Sequence, residues 1–222
     1  MSSFASRYRD GVRAALAVAA TVWFFGASFG LVARAAGMGA FAPLVMSATT
    51  FAGSAQFAVS SILGASGGTA AAITAAVLLN ARYAPISISV ASLFHGPLPR
   101  RLAESQLIVD ESWALSSRGG GRFDRRILIG AGLLLYAAWV SGTAVGVLAG
   151  HALGDPKDLG LDGAFPALFL ALLAPQLRAP RATVAAATGA AIALVLIPVT
   201  PAGIPIVVAS AACLLGLRRR KP

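Results

Sequence analysis

GTAAAITAAVLLNARYAPISISVASLF, residues 68–94, is apolar enough to dissolve in a bilayer, yet it carries Asn80, Arg82, Tyr83 and Pro85 near its middle. A hydrocarbon core of ~30 Å needs ~20 helical residues, and this stretch has them. An arginine at the centre of such a helix costs roughly 2.5–3.5 kcal/mol on insertion. One that stays there faces a cavity or a partner, or snorkels to the lipid phosphates. Proline removes a backbone donor and disfavours helical geometry at Ala84 before it, so the helix should kink or break around residues 80–85. Backbone groups freed at that depth are tolerated where they line a cavity. The stretch describes a broken membrane helix with a guanidinium at the break.

Outward from it, the rest of the 222-residue chain has the same character, being 57% hydrophobic and 12% charged, with a mean hydropathy of +0.78. Soluble domains are nearer ~25% charged. Seven apolar segments use up most of its length: about 14–33, 40–63, 69–94, 127–150, 162–177, 182–199 and 201–217. They are too long and continuous for barrel strands, so the fold class is all-α, a polytopic membrane protein of about seven transmembrane helices. The net charge of +10 comes from loops and tails, where the positive-inside rule puts it, so no nucleic acid is expected as a partner. Cys213 stands alone in the last apolar segment and reads as a packing residue. The basic start before residue 14 reads as the approach to a retained first helix, since its apolar run outlasts a signal-peptide core.

Arginines mark the cytoplasmic side at the 97–126 loop (Arg100, Arg101, Arg118, Arg122, Arg125, Arg126), at Arg178 and Arg181, and in the tail from Arg218. Seven spans counted back from the tail then put the N-terminus outside, against Arg7, Arg9 and Arg13; putting these inside requires an early segment to be re-entrant. Parity alone does not choose. WFFGASFG at 23–30 and WVSGTAVG at 139–146 share W-x2-G-x3-G, AFAP at 40–43 faces GAFP at 163–166, and AGSAQF at 52–57 faces LAPQL at 173–177. Three spans per repeat would make these a 3+3 inverted repeat, a common transporter plan that agrees with an outside N-terminus. Small residues every four positions would also serve close helix packing without any repeat. The reading divides the single transmembrane domain into a first repeat (1–96), a cytoplasmic connector (97–126), a second repeat (127–199) and a last helix with a basic tail (200–222). Within the connector, residues 98–117 predict an amphipathic surface helix.

All eight acidic residues lie at segment edges or in loops, which disfavours a proton relay on a deep carboxylate, although Asp162 and the Asp110/Glu111 pair could reach inward. TTFAGSAQF, 49–57, interrupts the second segment with Gly53, Ser54 and Gln56, and APQ at 174–176 is its weak counterpart. Paired interruptions point to a transporter's central site, with broken helices there; helix packing is the plainer account of the small residues. A carboxylate-bearing ligand would suit Arg82 or freed amides, with Asn80 and Tyr83 adding polar contacts. GASG at 64–67 has the form of an intramembrane serine-protease motif, for which His95 or His151 would have to act as base on Ser66. Neither histidine is well placed for it, and no metal spacing or phosphate loop is present.

Together, FGASFGLVARAAGM (25–38), FAGSAQFA (51–58), LLNARYAPIS (78–87), LIVDESWAL (107–115) and LGLDGAFPALFLALLAPQL (159–177) resemble the AzlC family, the large subunit of bacterial branched-chain amino acid exporters. Ala81, where a larger apolar residue is usual, and Gly163, where an aromatic is common, depart from the family pattern and bear on substrate size or packing. The resemblance implies export of leucine, isoleucine, valine and methionine across the bacterial cell (inner) membrane. It also implies a small AzlD-like membrane subunit as partner, an ion gradient of protons as the drive, and no cofactor. Residues expected at the substrate are Gly53, Ser54, Gln56, Asn80, Arg82, Tyr83 and Gln176; Asp110 and Asp162 are the candidate proton carriers. The alternatives are a channel or transporter for another small carboxylate-bearing solute, a membrane scaffold and, further off, the protease.

Overall fold

The computed structural model describes residues 4–118, 121–152, 170, 177, 180–200 and 204–216. Among these the regular structure is helical apart from one bridge between Ser117 and Phe123. The helices are α1 (Phe4–Ala35), α2 (Phe41–Thr49), α3 (Gly53–Gly64), α4 (Thr69–Asn80), α5 (Tyr83–Val90, continued by a 3-10 turn Ala91–Leu93), α6 (Leu98–Ser105), α7 (Asp110–Ser116), α8 (Arg125–Ala152), α9 (Pro180–Leu196) and α10 (Ile204–Ser210), the last followed by a 3-10 turn Ala211–Gly216. Among the described residues three stretches are long and apolar enough to cross a membrane: Tyr8–Ala35, Thr69–Leu93 and Arg125–Gly150.

α1 and α8 form the core of the bundle, and the repeated W-x2-G-x3-G pattern is what brings them together. A Cβ built on Gly26 would lie 2.5 Å from the Trp139 carbonyl oxygen, and one on Gly142 would collide with the Trp23 carbonyl. Gly30 meets the Thr143 carbonyl in the same way, and Gly146 meets that of Ala27. The contacts are reciprocal: exchanging the two motifs exchanges the contacts. Small residues here let two backbones touch, as in close-packed membrane helix pairs. Residue numbers rise together along the interface, from Gly11 beside Ile127 to Arg34 beside Gly150, so the helices run parallel. An inverted repeat would set them antiparallel. The inverted relation is therefore wrong for the two helices that carry the repeat, whose local dyad lies along the bundle.

The second apolar segment does not cross. α2 descends from the end of α1 alongside α8: Ser47 bonds Thr143, the Ala48 carbonyl accepts from the Tyr136 hydroxyl, and the Phe51 ring meets Tyr136 edge-on at 5.2 Å. The chain then reverses through Phe51, whose φ of 43° is a left-handed value. α3 climbs back beside α1, with Phe57 against Phe29, Ser60 bonding Met38, and Gly64 against Ala36. At 1.5 Å per residue the two limbs reach about 13 and 18 Å, half a bilayer each. Segment two is thus a re-entrant hairpin whose tip sits at the middle of α8.

From the same end α4 and α5 run back down. Ile62 of α3 packs on Ala72 and Ala75, whereas Val90 and Phe94 pack with Leu128, Ile129 and Tyr8 near the starts of α1 and α8. The break at residues 80–85 is milder than Pro85 predicts. Ala81 and Arg82 keep right-handed helical dihedrals, Ala84 is helical, and its amide takes up the Ala81 carbonyl at 3.1 Å, the acceptor that proline leaves free.

The connector is not one surface helix. Leu107, Ile108 and Val109 are buried and separate α6 from α7. The Leu107 carbonyl comes up against Gly132, and Val109 joins Phe51, Leu135 and Trp139 in the core. Leu107 and Val109 lie on opposite sides of a tight turn held by Ser112, whose hydroxyl accepts from the Val109 amide at 3.0 Å and donates to the Leu107 carbonyl at 2.8 Å. The connector thus dips into the bundle as a second hairpin, from the end opposite α2–α3. Segments six and seven include α9 and α10. Segment five, Asp162 and Gln176 included, lies outside the described residues except for Leu170 and Leu177.

Candidate functional site

The two hairpin tips meet at mid-bundle, where Gln106 Nε2 donates to the Thr49 carbonyl at 2.8 Å. On the first tip, Gln56 is fully buried. Its Oε1 accepts from the Ala52 amide at 3.1 Å, and its Nε2 donates to Ser47 Oγ at 2.9 Å. Ser47 in turn bonds Thr143 Oγ1 at 2.9 Å. Both ends of the amide are used within the protein, so Gln56 fixes the tip and the start of α3 onto α8.

Gly53, the first residue of α3, lies against the Trp139 ring; a Cβ there would come within 2.9 Å of Cη2. The Trp139 ring itself stacks at 6.1 Å on Phe29 and meets Phe57 edge-on at 6.4 Å. Trp139 Nε1 and Ser54 Oγ are buried with no hydrogen-bond partner among the described residues. No side chain caps α3 through Ala52. A helix N-terminus with unsatisfied donors and a free hydroxyl beside it, at mid-bundle and walled by aromatics, is chemically suited to a carboxylate.

Arg82 and Tyr83 sit at the α4–α5 junction. Arg82 Nη2 lies 3.0 Å from Asp110 Oδ2, and both side chains are a little over 40% exposed. The guanidinium also covers the Tyr83 ring, 5.1 Å from its centroid. Asn80 Oδ1 is buried with no hydrogen-bond partner among the described residues. The structure therefore brings Asp110, at the start of α7 on the second tip, to Arg82. Among the described residues Arg82 and Gln56 share no hydrogen-bond partner. Ser47, Thr143 and Trp139 Nε1 escape a reading of the sequence because single hydroxyls and a tryptophan in apolar helices look like packing.

Glu104 anchors the connector at the outer end of its hairpin, pairing with Arg100 at 2.8 Å and closely with Arg125. Burial pushes its carboxyl up, but the hydrogen bonds from Arg125 and Arg100 outweigh this and hold it below its ordinary value. The GASG stretch is a helix end: the Gly67 amide bonds the Ile62 carbonyl, the Ser66 amide bonds that of Leu63, and Ser66 has φ 58°. His95 follows α5 and lies at the far end of the bundle from Ser66, so this pair cannot act together.

A family model described as AzlC protein matches residues 17–153. The chain is 35% identical over 181 residues to an uncharacterized membrane protein of Archaeoglobus fulgidus, covering 80% of each. It is 26% identical over 169 residues to the branched-chain amino acid transport protein AzlC of Bacillus subtilis, covering 75% of this chain and 66% of that one. No solved structure matches.

Proposed function

Because the chain belongs to the AzlC family, we propose that it is the large subunit of a two-component secondary exporter that carries leucine, isoleucine, valine and methionine out of the cell. A small AzlD-like membrane subunit completes it, and protons drive it. The observation that carries this reading is the re-entrant α2–α3 hairpin, which sets the uncapped N-terminus of α3 at mid-bundle. Interrupted helices of this kind are how secondary transporters hold anionic groups at the bilayer midplane. An apolar amino acid would place its carboxylate at Gly53 and Ser54, with Gln56 fixing that end, and its branched side chain among apolar neighbours. In this reading Asn80, Arg82 and Tyr83 add polar contacts, and Gln176, outside the described residues, contributes from the other half.

Arg82 paired with Asp110 suggests how protons enter. While Asp110 is ionised it occupies the guanidinium. Export driven by entering protons requires that the proton-loaded and substrate-loaded states exclude each other, and Asp110 is the first candidate carrier. Asp162 is the second candidate carrier.

The test is uptake of labelled valine and leucine by inverted membrane vesicles that carry the chain with its small partner. Accumulation against a concentration gradient, dependent on the partner and lost when the pH gradient is collapsed, is expected. Well-expressed vesicles that equilibrate but never concentrate the label would make the protein a channel, and vesicles with no uptake of either amino acid would end this reading.

A further inference from the structure

We propose that the groove between α5 and α6 is a binding site for one anionic phospholipid. The groove has a volume of about 190 Å³ and is walled by Ala91 and Phe94 after α5 and by one face of α6, with Ile108 also lining it. On α6 that face is Leu98, Arg101, Leu102 and Ser105, spaced i, i+3, i+4 and i+7. The opposite face is already committed, since Arg100 and Glu104 pair with each other and Glu104 pairs with Arg125. Arg101 has no such task. It is exposed and has no ion-pair partner among the described residues.

Leu98 and Leu102 are 64% and 60% exposed beside this unpaired charge. One guanidinium at the edge of an apolar cleft matches a phosphate that continues into acyl chains. The place in the bundle matches too. The groove lies at the end where Arg9 and Arg13 of α1, Arg118 and Arg122 gather, which the positive-inside rule assigns to the cytoplasmic leaflet. That leaflet carries the anionic headgroups. A short amphipathic helix lying there has its apolar face at the level of the glycerol backbone.

Native mass spectrometry of the full-length chain in mild detergent, with phosphatidylglycerol and phosphatidylcholine supplied equally, tests this. The wild type should retain phosphatidylglycerol with about a five-fold preference, the worth of roughly one basic side chain at an anionic surface. Arg101→Gln should bring the preference close to one, and Arg101→Lys should keep most of it. Ala91→Phe, which fills the cleft and leaves the charge, should also lose the lipid. Arg122→Gln should retain it. Equal retention of both lipids by the wild type would overturn the proposal, as would undiminished preference in both Arg101→Gln and Ala91→Phe. An equal loss in Arg122→Gln would assign the effect to general charge. Full displacement by equimolar inorganic phosphate would mean an anion site without an acyl groove.

Discussion

At the scale of single residues, the first hairpin tip depends on an amide with nothing to spare. Gln56→Leu would leave the Ala52 amide and the Ser47 hydroxyl without this partner at the protein's centre. A buried polar group left unpaired costs about 1–3 kcal/mol. We expect a lower melting temperature of the purified protein together with lost transport; loss of transport at unchanged stability would instead place Gln56 on the substrate. The Arg82–Asp110 pair behaves differently. Its half-exposed side chains make it worth only about 0–1 kcal/mol to the fold. Asp110→Asn should therefore melt like the wild type, keep downhill flux of valine, and lose its response to an imposed pH gradient. Retained pH-driven accumulation in this variant would remove Asp110 from the coupling. The Asn80 to Pro85 cluster was legible because an arginine and a proline are costly in an apolar run. The Ser47–Gln56–Thr143 network was half legible: Gln56 is conspicuous in lipid, whereas the two hydroxyls became informative only when the fold put residues 96 apart within 2.9 Å.

At the scale of elements, the α1–α8 pair is held by backbone contact and leaves no room for a methyl. Gly146→Ala would drive a carbon into the Ala27 carbonyl, whereas at Gly150 the added carbon would meet Arg34 at an ordinary 3.5 Å. Overpacking costs on the order of 3 kcal/mol, while Gly to Ala in a helix gains up to about 1 kcal/mol. Gly146→Ala should be strongly destabilised and Gly150→Ala neutral or better in thermal melts; equal effects would deny the close approach. The docking of α6 has a pH signature. Glu104 is held below its ordinary value of 4.5, so its contribution to stability is complete above that pH and is lost as pH falls through the lower folded value. In acid melts between about pH 5 and 3, Glu104→Gln should start less stable and lose less. Here the packing reading of W-x2-G-x3-G holds, because its glycines are the surface on which the two helices touch; a motif cannot show whether its two copies lie parallel.

At the scale of the molecule, the same pattern together with the folded-back second segment settles a parity problem that composition left open. A repeat with three crossings returns the chain to the opposite side and inverts its successor. With one of the three segments re-entrant there are two crossings, and α8 must start on the side where α1 started, as its parallel packing requires. The consequence for charge is that the arginines at the start of α1 join those of the 97–126 connector at one end, in keeping with the positive-inside rule. Hydropathy alone missed this, because a hairpin of two half-length helices is as apolar as one full span. The distinction was carried by Thr49 to Gly53, where a single left-handed residue reverses the chain. Cysteine accessibility decides it. In a Cys213→Ala background, Arg9→Cys and Ser117→Cys should react with a membrane-impermeant maleimide from the cytoplasmic side, and Ala40→Cys and Ala65→Cys from the other. A second segment that crossed would place position 40 with 117 and position 9 with 65. Either of those pairings, in a protein that still transports, would require α2 and α3 to traverse the bilayer as one helix, and the α3 N-terminus would lose its place at mid-bundle.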